Sequence, residues 1–179
     1  MKKIMTTIAA AAIIGSSAFA QTFTLKSNDL GGQISKKQFG NVMGCTGDNV
    51  SPQLTWENAP KETKAFAVTI YDMDAPTGSG FWHWSVYNIP AIITELKTDA
   101  GNFSQMNLPK GAVNGNNDAG APGYVGPCPP AGQVHRYIVT VYALGAPVQL
   151  DKTASPAVTG MMINMNTIAK ASLIAYGQR

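Results

Sequence analysis

Apolar and polar residues alternate along several short stretches of the chain, the two-residue period of a strand with one face buried. Thr22-Phe23-Thr24-Leu25 opens the series, and Leu54-Thr55-Trp56 is a second short strand closed by Ala59-Pro60. Ala65 to Tyr71 carries the strongest pattern, with Phe66, Val68 and Ile70 on one face. Trp82 to Ile89, stopped by Pro90, and Tyr137 to Ala143 follow, and Ala171 to Tyr176 is predicted as a closing strand. Residues 27–52 and 98–134 lack periodicity and are rich in Gly, Asn, Asp, Ser and Pro. A loop as long as the second, inside a compact domain, is usually functional. One segment changes character. Ser155-Pro156 supplies an N-cap followed by Pro at the first helical position. Val158, Met161, Met162, Met165 and Ile168 then recur at helical spacing, predicting a C-terminal helix whose methionine face packs into the core.

Composition supports a loop-rich β protein: 45% of the residues are hydrophobic, and 18 glycines and 11 prolines interrupt the chain. Charged residues are only 13%, about half the usual ~25%. That excludes a coiled coil and argues against a nucleic-acid partner, which needs clustered Lys and Arg. The length of 179 residues suits one domain with a real core.

The first twenty residues have a separate logic. Lys2 and Lys3 form a basic segment, Ile8 to Ile14 an apolar one, and Ala18-Phe19-Ala20 a small-x-small cleavage site. This reads as a secretory signal peptide over 1–20, too short and wrongly flanked for a membrane anchor. A single domain over 21–179 is expected, periplasmic or, alternatively, secreted. The two lysines account for two of the three net positive charges, so the basicity implies no acidic partner. No other apolar run is long enough to span a bilayer. In an oxidising compartment Cys45 and Cys128 have one possible intramolecular pairing, with two free thiols as the alternative.

Candidate chemistry gathers around the two histidines. His83 lies in Phe81-Trp82-His83-Trp84, just after the turn Asp72-Met73-Asp74-Ala75-Pro76, and His135 ends a Gly/Pro-rich run from Gly126. Each cluster adjoins a strong strand, so both can converge on one end of a sheet. An imidazole, a carboxylate and backbone amides in one concavity would hold an anion. The competing reading makes Trp82 and Trp84 core residues and His83 a satisfied buried side chain.

In order along the chain stand Gly47-Asp48-Asn49-Val50-Ser51-Pro52-Gln53-Leu54, the Asp72–Pro76 turn, Trp82-His83-Trp84, and Gly126-Pro127-Cys128-Pro129-Pro130-Ala131-Gly132-Gln133-Val134-His135-Arg136-Tyr137. Together these resemble the phosphatidylethanolamine-binding protein family, in particular exported, two-cysteine members of its bacterial Raf-kinase-inhibitor-like branch. Met73 stands where Pro is usual between the two aspartates, and Phe81 where Trp is common. The resemblance implies an antiparallel β-sandwich with a C-terminal helix packed on it. It also implies a pocket for phosphate-type anions and the phosphatidylethanolamine head group. It assigns ligand contacts to Asp72, His83, Gly126, Cys128, Pro129, Pro130, His135 and Tyr137, with the loop acting through its backbone amides. Arg136, out of phase with His135 and Tyr137, is expected to turn away into an ion pair, and Asp74 to fix the turn. The resemblance further implies a binding module without turnover, cofactor or metal, and a homodimer.

Two other function classes remain. Asp72, His83 and His135 have the ligand types of a two-His-one-carboxylate metal enzyme, and Cys128 with His135 those of a thiol nucleophile and its base. A protein-interaction or inhibitor role is suggested by the branch's description alone.

Overall fold

The computed structural model describes residues 21–151 and 153–179. The signal-peptide segment 1–20 lies outside the described residues.

Among the described residues, eight strands and one helix follow in the order β1 (Thr24–Lys26), β2 (Leu54–Glu57), β3 (Ala65–Asp72), β4 (Phe81–Pro90), β5 (Glu95–Leu96), β6 (Val113–Asn114), β7 (Val134–Leu144), α1 (Pro156–Asn166) and β8 (Thr167–Gln178). They form a three-stranded sheet, β1-β2-β5, and a five-stranded sheet, β6-β4-β3-β7-β8, in which every pairing is antiparallel. Phe66, Val68 and Ile70 of β3 and Val139, Val141 and Ala143 of β7 meet Leu54, Trp56 and Leu96 of the small sheet in the main core. The expected strand face is therefore the inner one. The intervening residues of the same strands, Ala65, Ala67, Tyr142 and Leu144, build a second cluster on the opposite face, under α1.

Ser155 caps α1, its hydroxyl accepting from the Val158 amide at 3.3 Å. Of the methionines expected to pack, Met162 alone lies against the second cluster, and the helix is otherwise turned to a different face. Thr159, Gly160 and Ile163 are buried, whereas Met161 and Met165 are 53% and 73% exposed. Trp82 explains the choice. A Cβ at position 160 would sit 3.1 Å from its indole ring, so the helix approaches β4 through its smallest residue. Ile168 is not helical at all. Thr167 turns extended, its hydroxyl satisfying the Ile163 carbonyl at 2.7 Å, and the chain runs directly into β8.

Candidate functional site

The inner face of the large sheet is apolar until its end. There the two-residue alternation that lines up Phe66, Val68 and Ile70 delivers Asp72, the last residue of β3. On β7 the same face runs from Val139 through Tyr137 to His135. Asp72 pairs with Phe81 of β4 on one side and Tyr137 of β7 on the other. His83 arrives differently. Ile70 pairs with Trp84 and Tyr71 with Trp82, so His83 is the extra residue of a β-bulge. Bulges re-aim side chains in this way, and here His83 and Trp84 are buried in succession. Asp72, His83 and His135 are 3%, 6% and 3% exposed, three ionisable groups where a core would otherwise continue.

Asp72 Oδ2 accepts from His135 Nδ1 at 2.7 Å and lies 4.0 Å from His83 Nε2, while its Oδ1 accepts the Asp74 amide at 2.9 Å. Burial pushes the Asp72 carboxyl up, but the His83 and His135 imidazoles and the Asp74 amide outweigh it and hold the group below its ordinary value. Asp72 is therefore ionised at neutral pH. His83 Nδ1 lies 2.7 Å from the Val125 carbonyl, which can only accept, so the proton of a neutral ring sits on Nδ1. Its Nε2, facing Asp72, then carries a lone pair. A second proton on His83 is what makes Nε2 a donor to an anion.

A cleft of about 300 Å³ opens over this floor. Gly126, Cys128 and Pro130 line it with Asp72, His83 and His135. The 126–130 loop offers fewer amides than the resemblance implies. Pro127, Pro129 and Pro130 have no N–H, and Gly126 donates its own to Asn49 Oδ1 at 2.7 Å. Only the Cys128 amide of the run is left to meet a ligand. Gly126 is required here on packing grounds: a Cβ would lie 2.4 Å from the Gln38 carbonyl oxygen and the Gly40 amide nitrogen.

The other residues singled out in the sequence fall around the cleft rather than on it. Tyr137 is fully buried and packs edge-on against His83, ring centroids 5.4 Å apart. Its hydroxyl has no hydrogen-bond partner among the described residues. Burial and the nearby Asp72 carboxylate push that hydroxyl's pKa far up. Pro129 is buried behind the loop. Arg136 does turn away, gripping Asp74 with Nη2 to Oδ1 at 2.6 Å and Nε to Oδ2 at 2.9 Å. Asp74 is an acceptor as expected, but its donors are on β7. The bond inside the turn belongs to Asp72.

Cys45 and Cys128 form a disulfide, and no cysteine among the described residues is free. That overturns the thiol-nucleophile alternative, since Cys128 has no thiolate to offer. The sequence pattern gave no place in the site to Val42 and Met43, which line the cleft, or to Phe81, whose ring packs tilted against His83 with centroids 4.7 Å apart. Phe81 has a signal, its place in the aromatic cluster. Val42 and Met43 have none, because their turn is brought to the site by ties between loops distant in sequence, the Cys45–Cys128 bridge and the Gly40–Pro127 and Asn49–Gly126 hydrogen bonds among them. Among the described residues no group of three or more His, Cys, Asp or Glu side chains is arranged to hold a metal ion, and no helix is long and apolar enough to cross a membrane.

The chain matches the phosphatidylethanolamine-binding protein family over residues 24–178, and it belongs to that family. It is 47% identical to the UPF0098 protein YbcL of Escherichia coli K12 over 166 residues, covering 90% of this chain and 91% of that protein. It is 44% identical to YbhB of the same organism, covering 84% and 97%. The crystal structure of E. coli YbcL, described as a member of the mammalian PEBP family, superposes with a TM-score of 0.85 at 45% identity, over 88% of this chain and 98% of that one. A PEBP homologue from Chlamydia trachomatis superposes at 0.72 with 29% identity, over 88% and 97%.

Proposed function

We propose that the cleft binds a small phosphate-bearing head group of the phosphoethanolamine type, without turnover. The observation that carries this reading is the convergence of Asp72 and His83 on the floor of one cleft that Cys128 also lines. Charge refines it. Among the described residues no Lys or Arg lines the cleft, and the floor holds an ionised carboxylate. A zwitterion can set its ammonium against Asp72 and its phosphate against the His83 ring and the Cys128 amide. Titration calorimetry with phosphoethanolamine tests this. His83→Ala is expected to reduce affinity without unfolding the protein. Identical affinity in the variant would remove His83 from the site. Stoichiometric metal, with a melting temperature that falls on chelation, would instead support the metal-dependent alternative built on Asp72, His83 and His135.

In this reading the protein is exported to the periplasm, where a disulfide persists, and works as a homodimer. Native mass spectrometry of the periplasmic protein checks both: a chain beginning near Gln21, present as pairs. A chain retaining residues 1–20 would contradict export.

A further inference from the structure

The cleft has a polar floor but apolar walls. Val42 and Met43 line it together with Pro76, Phe81 and Val125, and neither Val42 nor Met43 belongs to either core cluster. They are 44% and 72% exposed, so their side chains contribute little to the core. Met43 is also held at φ 53°, a left-handed conformation that costs a non-glycine residue free energy and persists where surrounding structure imposes it. What imposes it is visible. The Cys45 amide closes the turn onto the Val42 carbonyl at 3.0 Å, and Arg179 Nη1 donates to the Gly44 carbonyl at 2.9 Å. The bridge fastens Cys45 to Cys128 on the opposite side of the cleft mouth, and Cys128 Sγ touches the carbonyl oxygens of both Val42 and Met43 at 3.5 Å. A strained, exposed apolar turn clamped beside a charged floor makes sense if something apolar is to lie against it.

We infer that Val42 and Met43 form an apolar jaw that selects phosphate monoesters carrying an alkyl or aryl substituent over inorganic phosphate, with the Cys45–Cys128 bridge as the positioning element that holds the jaw in place. The inference rests on the head-group reading of the floor. With the phosphate against His83 and the Cys128 amide, the substituent of a monoester that carries no ammonium for Asp72 leaves towards the mouth and meets the valine and the unbranched thioether, whose flexibility lets it cover differently shaped groups. Covering about 55 Å² of apolar surface corresponds to about tenfold in affinity at the usual transfer coefficient.

The test measures inorganic phosphate and phenyl phosphate binding to the oxidised protein by calorimetry and by NMR shifts of the His83 ring. The readout is the ratio of the two dissociation constants within each variant. The wild type is expected to prefer phenyl phosphate about tenfold. Met43→Ser with Val42→Ser should bring the ratio to about one, Met43→Leu should retain the preference, and Cys45→Ser with Cys128→Ser should reduce it. A wild-type ratio of one, or a ratio unmoved by the double serine variant, overturns the jaw while leaving the head-group site standing. Failure of both probes to bind, with no shift at His83, overturns the head-group reading and the jaw with it.

Discussion

Asp72 and Asp74 stand two residues apart and face opposite sides of the sheet end, yet both have depressed carboxyls. The Arg136 guanidinium, hydrogen-bonded to both Asp74 oxygens, brings that group from 3.8 to about 2. Asp72 is lowered by the imidazoles and the Asp74 amide in spite of burial. A carboxyl depressed in the folded state protonates first in the unfolded chain. Its stabilisation is therefore present above the unfolded value and is lost as pH falls through the folded one. Melting temperature is expected to fall steeply as pH drops below about 4, and Asp74→Asn to flatten that dependence. An identical acid slope in the variant would contradict the assignment to Asp74. Gly126 allows a second prediction. Because a Cβ there collides with fixed backbone atoms, Gly126→Ala is expected to cost about 1–3 kcal/mol in urea unfolding and to weaken head-group binding. An unchanged urea midpoint would show that the loop can shift at no cost. The three floor residues were legible in the sequence because the histidines are few and sit beside strong alternating runs. Val42 and Met43 were not, since an aperiodic stretch gives no hint of which distant loop it will face.

At the scale of elements, the pattern located β2, β3, β4 and β7 to within a few residues, because alternate residues of these strands enter the main core, with the opposite face of β3 and β7 entering the second cluster under α1. β5 and β6, two residues each, are too short to carry a period. The bulge at His83 was hidden for the opposite reason, since an inserted residue breaks the alternation just where the site is built. The helix shows how pattern can mislead. Methionines at helical spacing describe a stripe, but Gly160 against Trp82 fixes the packing, and a glycine inside a helical run is a clue to close approach rather than to weakness. The two faces can be told apart by stability. Ile163→Ala, at a fully buried position, is expected to cost about 2–5 kcal/mol. Met165→Ala, at an exposed one, should stay within about 0.5 kcal/mol. The reverse order in denaturant unfolding would mean that α1 sits rotated by roughly half a turn.

For the molecule as a whole, the sandwich core and the site depend on different parts of the chain. The core is made by strands that pair over long distances, and none of the main-cluster residues is a cysteine. The site end is roofed by two aperiodic segments, 41–47 and 126–130, tied by the Gly40 amide to the Pro127 carbonyl at 2.8 Å, by Asn49 to Gly126, and by the disulfide. The cysteines are 83 positions apart, and closing a loop of that length in the unfolded chain corresponds to about 4.5 kcal/mol of stabilisation in the chain-entropy account. Cys45→Ser with Cys128→Ser is therefore expected to lower the unfolding free energy by up to about that amount. The released loops should also move, because the remaining ties are single hydrogen bonds, each contributing about 1 kcal/mol net. Hydrogen exchange should quicken at residues 42–45 and at Cys128 while the amides of β3 and β7 stay protected. Uniformly faster exchange through β3 and β7 would mean instead that the bridge supports the sandwich itself, and two free thiols per chain in the unfolded, unreduced wild type would mean that it does not form.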